Sequence, residues 1–141
     1  PKTNVNEDGI FETGTFNTSK LEFKKLIKRK TGLNLNDSNV ISGFYSESLT
    51  GDMQQKMPKV GLVHIDVDLY SSAIEVLEFI KPLIVKGTVL VFDDWYCFPP
   101  GSSKGESGAM DEFKKKYPGF EIEEWKSYST FGKSFFVKNL P

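Results

Sequence analysis

The stretch "LVHIDVDLYSSAIEVLEFIKPLIVKGTVLVFDDW", residues 62–95, decides the fold. With the two residues before it, it opens on a nearly continuous apolar run, 60–69, as a strand buried on both faces would. Ala73, Val76, Leu77, Ile80 and Leu83/Ile84 then recur at helical spacing. This predicts an amphipathic helix over 71–84, with Ser71 or Ser72 as its cap. Gly87 closes the connection, and "TVLVFDD", 88–94, is a second apolar strand. The first strand carries Asp66 and Asp68, and the second ends on Asp93 and Asp94. A buried strand has no use for paired charges, so their repetition one helix apart points to a ligand.

Outward from this unit the alternation continues. "NTSKLEFKKLIKRKTG" (17–32) predicts a helix capped by Asn17 or Thr18, with its cluster from Lys24 to Lys30 on the solvated face. "NVISGFY" (39–45) reads as a short strand running into a glycine, and "SESLTGDMQQKM" (46–57) as a helix. "YCFPPGSSKGESG" (96–108) is a Gly/Pro/Ser-rich loop, of which 101–108 reads as a mobile substrate-side segment. A helix from Ala109, stopped by Pro118-Gly119, leads to two late strands, "FEIEEWKSY" and "SFFVKN", read as an antiparallel pair. The order predicts one α/β domain over residues 1–141 with a mostly parallel sheet and an antiparallel C-terminal strand.

Bulk properties narrow the function. The 141 residues carry a formal net charge of −1, which gives no broad positive field for nucleic acid. No apolar run reaches the roughly 18 residues of a membrane span, and no basic segment leads into an apolar one as in a signal peptide. Cys97 is the only cysteine, so there is no intrachain disulfide and no paired-cysteine metal site. A reduced, cytoplasmic setting is the expectation. The opening "PKTNVNEDGIFETGTFNTS" has neither a starting strand nor an initiator Met, and reads as a chain whose front part is missing.

In parallel α/β sheets, ligands bind beyond the carboxyl ends of the strands. Paired neighbours bring those ends to within about 5 Å of one another. Four carboxylates would then meet and repel, and neither motif holds a compensating Lys or Arg. Mg²⁺, which takes hard oxygen ligands, would compensate them. Asp66, Asp93 and Asp94 are the preferred ligands, because Asp68 falls in the turn. The plainer alternative has Asp68 capping the helix, Asp94 closing a turn, and the others in solvent. His64 reads as a core histidine or as a partner that orients Asp66, and Cys97 as inert. Trp95, Tyr96 and Phe98 read as core or as sugar-stacking platforms.

Residues 14–16 ("GTF"), 40–49 ("VISGFYSESL"), 62–95 and 108–113 ("GAMDEF") together resemble the macrocin O-methyltransferase (TylF/MycF-type) family. The family pattern is an Asp-x-Asp-x-Tyr strand end, a helix, then a strand ending in Asp-Asp-Tyr. Here Trp95 stands for the second Tyr, and Lys86-Gly87 for the usual Gly-Gly. The resemblance implies a three-layer Rossmann-like S-adenosylmethionine-dependent methyltransferase fold, of which this chain holds the later strands. It also implies sugar O-methylation with S-adenosylmethionine and Mg²⁺ as cofactors. By the same analogy Asp66, Asp93 and Asp94 are Mg²⁺ ligands, Asp66 alternatively the base, and Gly43, Phe44, Tyr45 and Ser46 hold the adenine end of the cofactor. The partners expected are a small sugar-like or vicinal-diol acceptor and a second copy in a homodimer. The glycine-rich turn and the ribose-binding acid of such enzymes are absent from this sequence. Three alternatives stay open: a haloacid-dehalogenase-type phosphohydrolase using Asp66 and Asp68, a nucleotide-sugar glycosyltransferase, and a non-catalytic remnant.

Overall fold

The structure, a computed structural model, describes residues 18–141. The chain divides into two compact units after Ser48. In the first, α1 (Lys20–Thr31) begins at Ser19. Its hydroxyl accepts the Glu22 N–H, while the Glu22 carboxylate accepts the Ser19 N–H, a reciprocal capping box. The cap is therefore Ser19 rather than Thr18, because Ser19 has the acid three residues on; Asn17 lies outside the described residues. Gly32, at φ 78, ends the helix. Part of the basic cluster is tied down, since the Lys24 ammonium lies 3.0 Å from an Asp37 carboxylate oxygen.

The strand expected over 39–45 is not formed. The Val40 N–H closes a 3₁₀ turn onto the Asp37 carbonyl, and the Phe44 carbonyl accepts the N–H groups of Glu47 and Ser48. Those bonds start α2 (Tyr45–Ser48). Gly43, at φ 131, turns the chain between them. The backbone groups are committed to turns on both sides, and Ser42-Gly43 interrupts the apolar alternation a strand needs.

The second unit carries α3 (Gly51–Lys56), β1 (Val60–Ile65), α4 (Tyr70–Ile80), β2 (Ile84–Phe92), α5 (Gly105–Lys116), β3 (Glu121–Tyr128) and β4 (Gly132–Asn139). The sheet order is β1-β2-β4-β3, with β1 and β2 parallel and the other two pairings antiparallel. This is a mixed α/β arrangement of Rossmann-like type, and the late antiparallel pair is as expected. Strand β2 starts at Ile84, before the expected Thr88, because its ladder passes a bulge. Gly87 takes φ 90, and the buried Thr88 hydroxyl donates to the Val60 carbonyl while accepting the Val85 N–H. Helix α5 starts four residues before the expected Ala109. Its glycines serve close packing: a Cβ on Gly108 would stand 2.6 Å from the Ser103 carbonyl carbon.

The core lies between the sheet and the α4–α5 pair. Ile65, Leu90, Phe92, Phe135 and Val137 come from the strands, Ala73 and Leu77 from α4, and Ala109, Met110 and Phe113 from α5. Burying each large side chain is worth roughly 1.5–3 kcal/mol. Leu62 is 63% exposed and His64, two residues on along the same face of β1, is half exposed, so the expected two-sided burial is not met. The helices are clamped at their surface by Glu78 of α4, which accepts from the Lys116 ammonium and the Tyr117 hydroxyl.

Candidate metal and acceptor site

The β1–β2 ladder runs one residue past Phe92: the Asp93 N–H donates to the Ile65 carbonyl at 3.0 Å. That bond sets Asp93 beside the end of β1, where Asp66 follows Ile65. The chain then turns tightly at Asp68, which holds φ 56, with the Leu69 N–H on the Val67 carbonyl. A non-glycine residue in this region costs up to about 1–2 kcal/mol, less for Asp than for most. Asp68 shapes the turn as expected, but it is not a cap. The N-cap of α4 is Leu69, which makes no side-chain cap bond, and Ser71 and Ser72 already lie inside the helix. After β2, the chain turns back with the Cys97 N–H on the Asp94 carbonyl and the Cys97 thiol on the Asp94 carboxylate at 3.1 Å.

Two further groups face Asp93. The Tyr128 hydroxyl, from β3, donates to Asp93 Oδ1 at 3.2 Å, and His64 Nε2 lies 4.0 Å from the same oxygen. His64 is half exposed, so it is not a core histidine, and the carboxylate oxygen 4.0 Å from it belongs to Asp93, while its influence on Asp66 is electrostatic. Phe98 is buried, and Trp95 packs edge-on against Phe92 with ring centroids 5.0 Å apart. Only Tyr96, of the three aromatics after Asp94, stands at the surface. Its hydroxyl lies 3.1 Å from the Ser127 hydroxyl.

The electrostatics register the crowding. Burial raises the Asp66 carboxyl, and Asp93 and Asp94 raise it further against a smaller opposing effect of His64. Asp68 is pushed up to about 6, first by burial and then by a hydrogen bond to Asp94. Burial, then Asp94, pushes the Cys97 thiol up to about 12, which agrees with an inert cysteine. Burial and the bond to Asp93 also raise the Tyr128 hydroxyl.

One residue of the site went unread in the sequence. Glu106, in the first turn of α5, is wholly buried. Its Oε1 accepts the Val67 N–H at 3.2 Å and its Oε2 accepts the Asp94 N–H at 3.0 Å. Burial pushes this carboxyl up to about 8, against those two bonds. The only signal for it was an acid within the Gly/Ser run 101–108, a run that composition assigned to a loop.

The donor set is all oxygen, which suits Mg²⁺ rather than a softer metal. Among the described residues no three His, Cys, Asp or Glu side chains converge on one point. Asp94 is engaged by Asp68 and by the Cys97 thiol, so Asp66, Asp93 and Asp94 share one sheet edge without pointing at a common centre. Gly43, Phe44, Tyr45 and Ser46 belong to the first unit, where Phe44 is 61% exposed and Tyr45 opens α2. No helix among the described residues is long and apolar enough to cross a membrane.

Comparison with known proteins gives three findings. The family model described as Macrocin-O-methyltransferase (TylF) matches residues 16–118. No curated protein matches. Among solved structures, the O-methyltransferase NovP superposes with a TM-score of 0.65 at 19% identity, over 86% of this chain and 46% of its own. The apo structure of CalS11, a TDP-rhamnose 3'-O-methyltransferase of calicheamicin biosynthesis, gives 0.50 at 22% identity, over 68% of this chain and 40% of its own. A putative rRNA methylase from Clostridium thermocellum gives 0.51 at 15%, over 88% of this chain and 73% of its own. At these identities the likenesses establish the fold alone. The chain spans less than half the length of the first two.

Proposed function

The chain belongs to the macrocin O-methyltransferase family, and we propose from that premise that it is part of an S-adenosylmethionine- and Mg²⁺-dependent O-methyltransferase acting on a sugar or other vicinal-diol hydroxyl. The observation that carries this reading is the Asp93–Ile65 backbone bond, which sets two acid-bearing strand ends side by side at the ligand edge of a parallel pair. The family match supports methyl transfer over the phosphohydrolase reading of Asp66 and Asp68.

Asp66, Asp93 and Asp94 would hold the metal, which when bound supplies Lewis acidity to an acceptor hydroxyl. Tyr128 and His64 orient Asp93 from the β3 and β1 sides. The hydroxyl proton passes to a carboxylate, Asp66 in our assignment. Asp68, held near 6, is a second acceptor at the same edge. S-adenosylmethionine, when bound, would supply the methyl group from its sulfonium centre, with S-adenosylhomocysteine as the leaving group. Gly43, Phe44, Tyr45 and Ser46 would hold the adenine end, with Phe44 the candidate stacking surface.

The test is methyl transfer from labelled S-adenosylmethionine to a panel of nucleotide sugars, with Mg²⁺ and with EDTA. It uses this sequence within its full open reading frame. Turnover should depend on Mg²⁺ and vanish in Asp93→Ala. Turnover that survives EDTA, or Asp93→Ala with unchanged metal dependence, overturns the assignment.

A further inference from the structure

Glu106 is chemically out of place. A glutamate in the first turn of a helix ordinarily faces that helix's own free N–H groups or solvent. This one is wholly buried and turns away from its helix. Both oxygens are spent on peptides distant in sequence, one 39 residues away and the other 12. The Val67 N–H belongs to the peptide that immediately follows Asp66. The Asp94 N–H belongs to the peptide that joins Asp93 to Asp94. One carboxylate thus grips the backbone beside all three acids assigned to the metal. A carboxyl group can take both bonds because it offers an acceptor oxygen to each N–H. Glutamine, its nearest neutral match, would turn an NH₂ toward one of the two N–H donors.

We propose that Glu106 is a positioning residue: it sets the separation of the two acid-bearing turns, and through that spacing the affinity of the cation site. The proposal rests on the metal reading above. The ladder bond from Asp93 to Ile65 fixes the strand ends one residue earlier, but beyond it the chains diverge, one into the Asp68 turn and the other into the Asp94–Cys97 turn. Glu106 ties the two backbones together across this divergence. Partners that orient metal ligands from outside the ligand set typically change affinity by about 10–100-fold when removed.

The probe is Mn²⁺, a spectroscopic stand-in for Mg²⁺, titrated by calorimetry and electron paramagnetic resonance. The proteins are wild type, Glu106→Gln, Glu106→Ala and a control, Met110→Ala, each within the full open reading frame. Met110 lies one turn further along α5 and is buried like Glu106, so its truncation loosens the same helix while keeping the Glu106 carboxyl. We expect the Mn²⁺ dissociation constant to rise about 10-fold in Glu106→Gln and further in Glu106→Ala, with a changed spectrum of the bound ion and no comparable rise in Met110→Ala. Equal affinity in wild type and Glu106→Gln overturns the positioning role while leaving the metal site standing. An equal loss in Met110→Ala also overturns it, as generic loosening. A wild type that binds no Mn²⁺ overturns the metal reading and this inference with it. If the Glu106 variants do not fold, amide exchange in the wild type decides. Slow exchange at both Val67 and Asp94 supports the clamp, and exchange at open-chain rates overturns it.

Discussion

Replacing Gly105 by alanine tests the corner from which Glu106 is presented. Gly105 opens α5 at φ 60, a left-handed conformation that costs an alanine about 1–2 kcal/mol. Its added Cβ would run into the Phe98 ring, 2.7 Å from Cε2 and closer still to Cδ2. Phe98 is only 6% exposed, so the ring cannot swing into solvent. Overpacking of this kind adds about 1–3 kcal/mol. The two together predict a loss of about 2–5 kcal/mol, a large share of the roughly 5–15 kcal/mol that holds an ordinary domain together. Gly101 supplies the comparison: it has φ 78, and a Cβ added there would meet nothing within 4 Å. Gly101→Ala should therefore show the conformational cost alone, about 1–2 kcal/mol. Urea unfolding followed by circular dichroism measures both, provided the slope with denaturant stays constant across the variants. In a Phe98→Ala background the cost of Gly105→Ala should fall toward that of Gly101→Ala. If Gly105→Ala costs no more than Gly101→Ala, or costs the same with and without the Phe98 ring, the packing argument is wrong.

Other consequences can be measured on the same protein. Burial raises the Glu78 carboxyl, but the hydrogen bonds from Lys116 and Tyr117 outweigh it and hold the carboxyl below its ordinary 4.5. The stability it contributes is thus present above pH 4.5 and lost as pH falls through the lower folded value. Glu78→Gln should flatten the acid limb of the stability curve, and parallel curves for the two proteins would refute this. With its thiol at about 12, Cys97 should react with iodoacetamide far more slowly than a free cysteine in EDTA at mildly alkaline pH, and faster in Asp94→Asn; labelling at the rate of a free thiol would contradict it. Tyr128→Phe keeps the ring, which lies against Gly132, and removes one hydrogen bond to Asp93. Its stability cost should stay within about 0.5–1.5 kcal/mol, and a larger loss in urea unfolding would mean that the hydroxyl carries more than that bond.

The parts of the fold that were legible in the sequence share one property: their side-chain pattern and their backbone bonding agree. Ala73, Val76, Leu77 and Ile80 repeat at helical spacing, and α4 forms over them, but it stops at Ile80, short of the expected 84, because Ile84 already pairs in β2; "VLVF" (89–92) is apolar throughout, and β2 runs through the centre of the described sheet. The misreadings arise where a glycine carries the geometry. "NVISGFY" has strand-like residues at its start, but Gly43 permits a turn, and the neighbouring carbonyls are taken by local helical bonds. "KGESG" has the composition of a loop, yet Gly105 and Gly108 are the residues that allow a helix to lie against Phe98 and the Ser102–Ser103 backbone. Composition records that a residue is small. It does not record whether the space beside it is solvent or another chain segment.

The same distinction explains why the four aspartates drew notice in the sequence and Glu106 did not. Asp66, Asp68, Asp93 and Asp94 stand out because they interrupt apolar runs, and an interruption is visible in one dimension. Glu106 interrupts nothing, and its role exists only through two peptides brought to it by folding. The strand ends supply the charges, and α5 supplies the contact that holds their backbones. The aspartate side chains have partners of their own, Asp94 in Asp68 and the Cys97 thiol, Asp93 in the Tyr128 hydroxyl. On the metal reading proposed above, affinity for a cation should respond more to the backbone grip at Glu106 than to the packing of the strands beneath it, which the Mn²⁺ titration of Glu106→Gln against Met110→Ala checks.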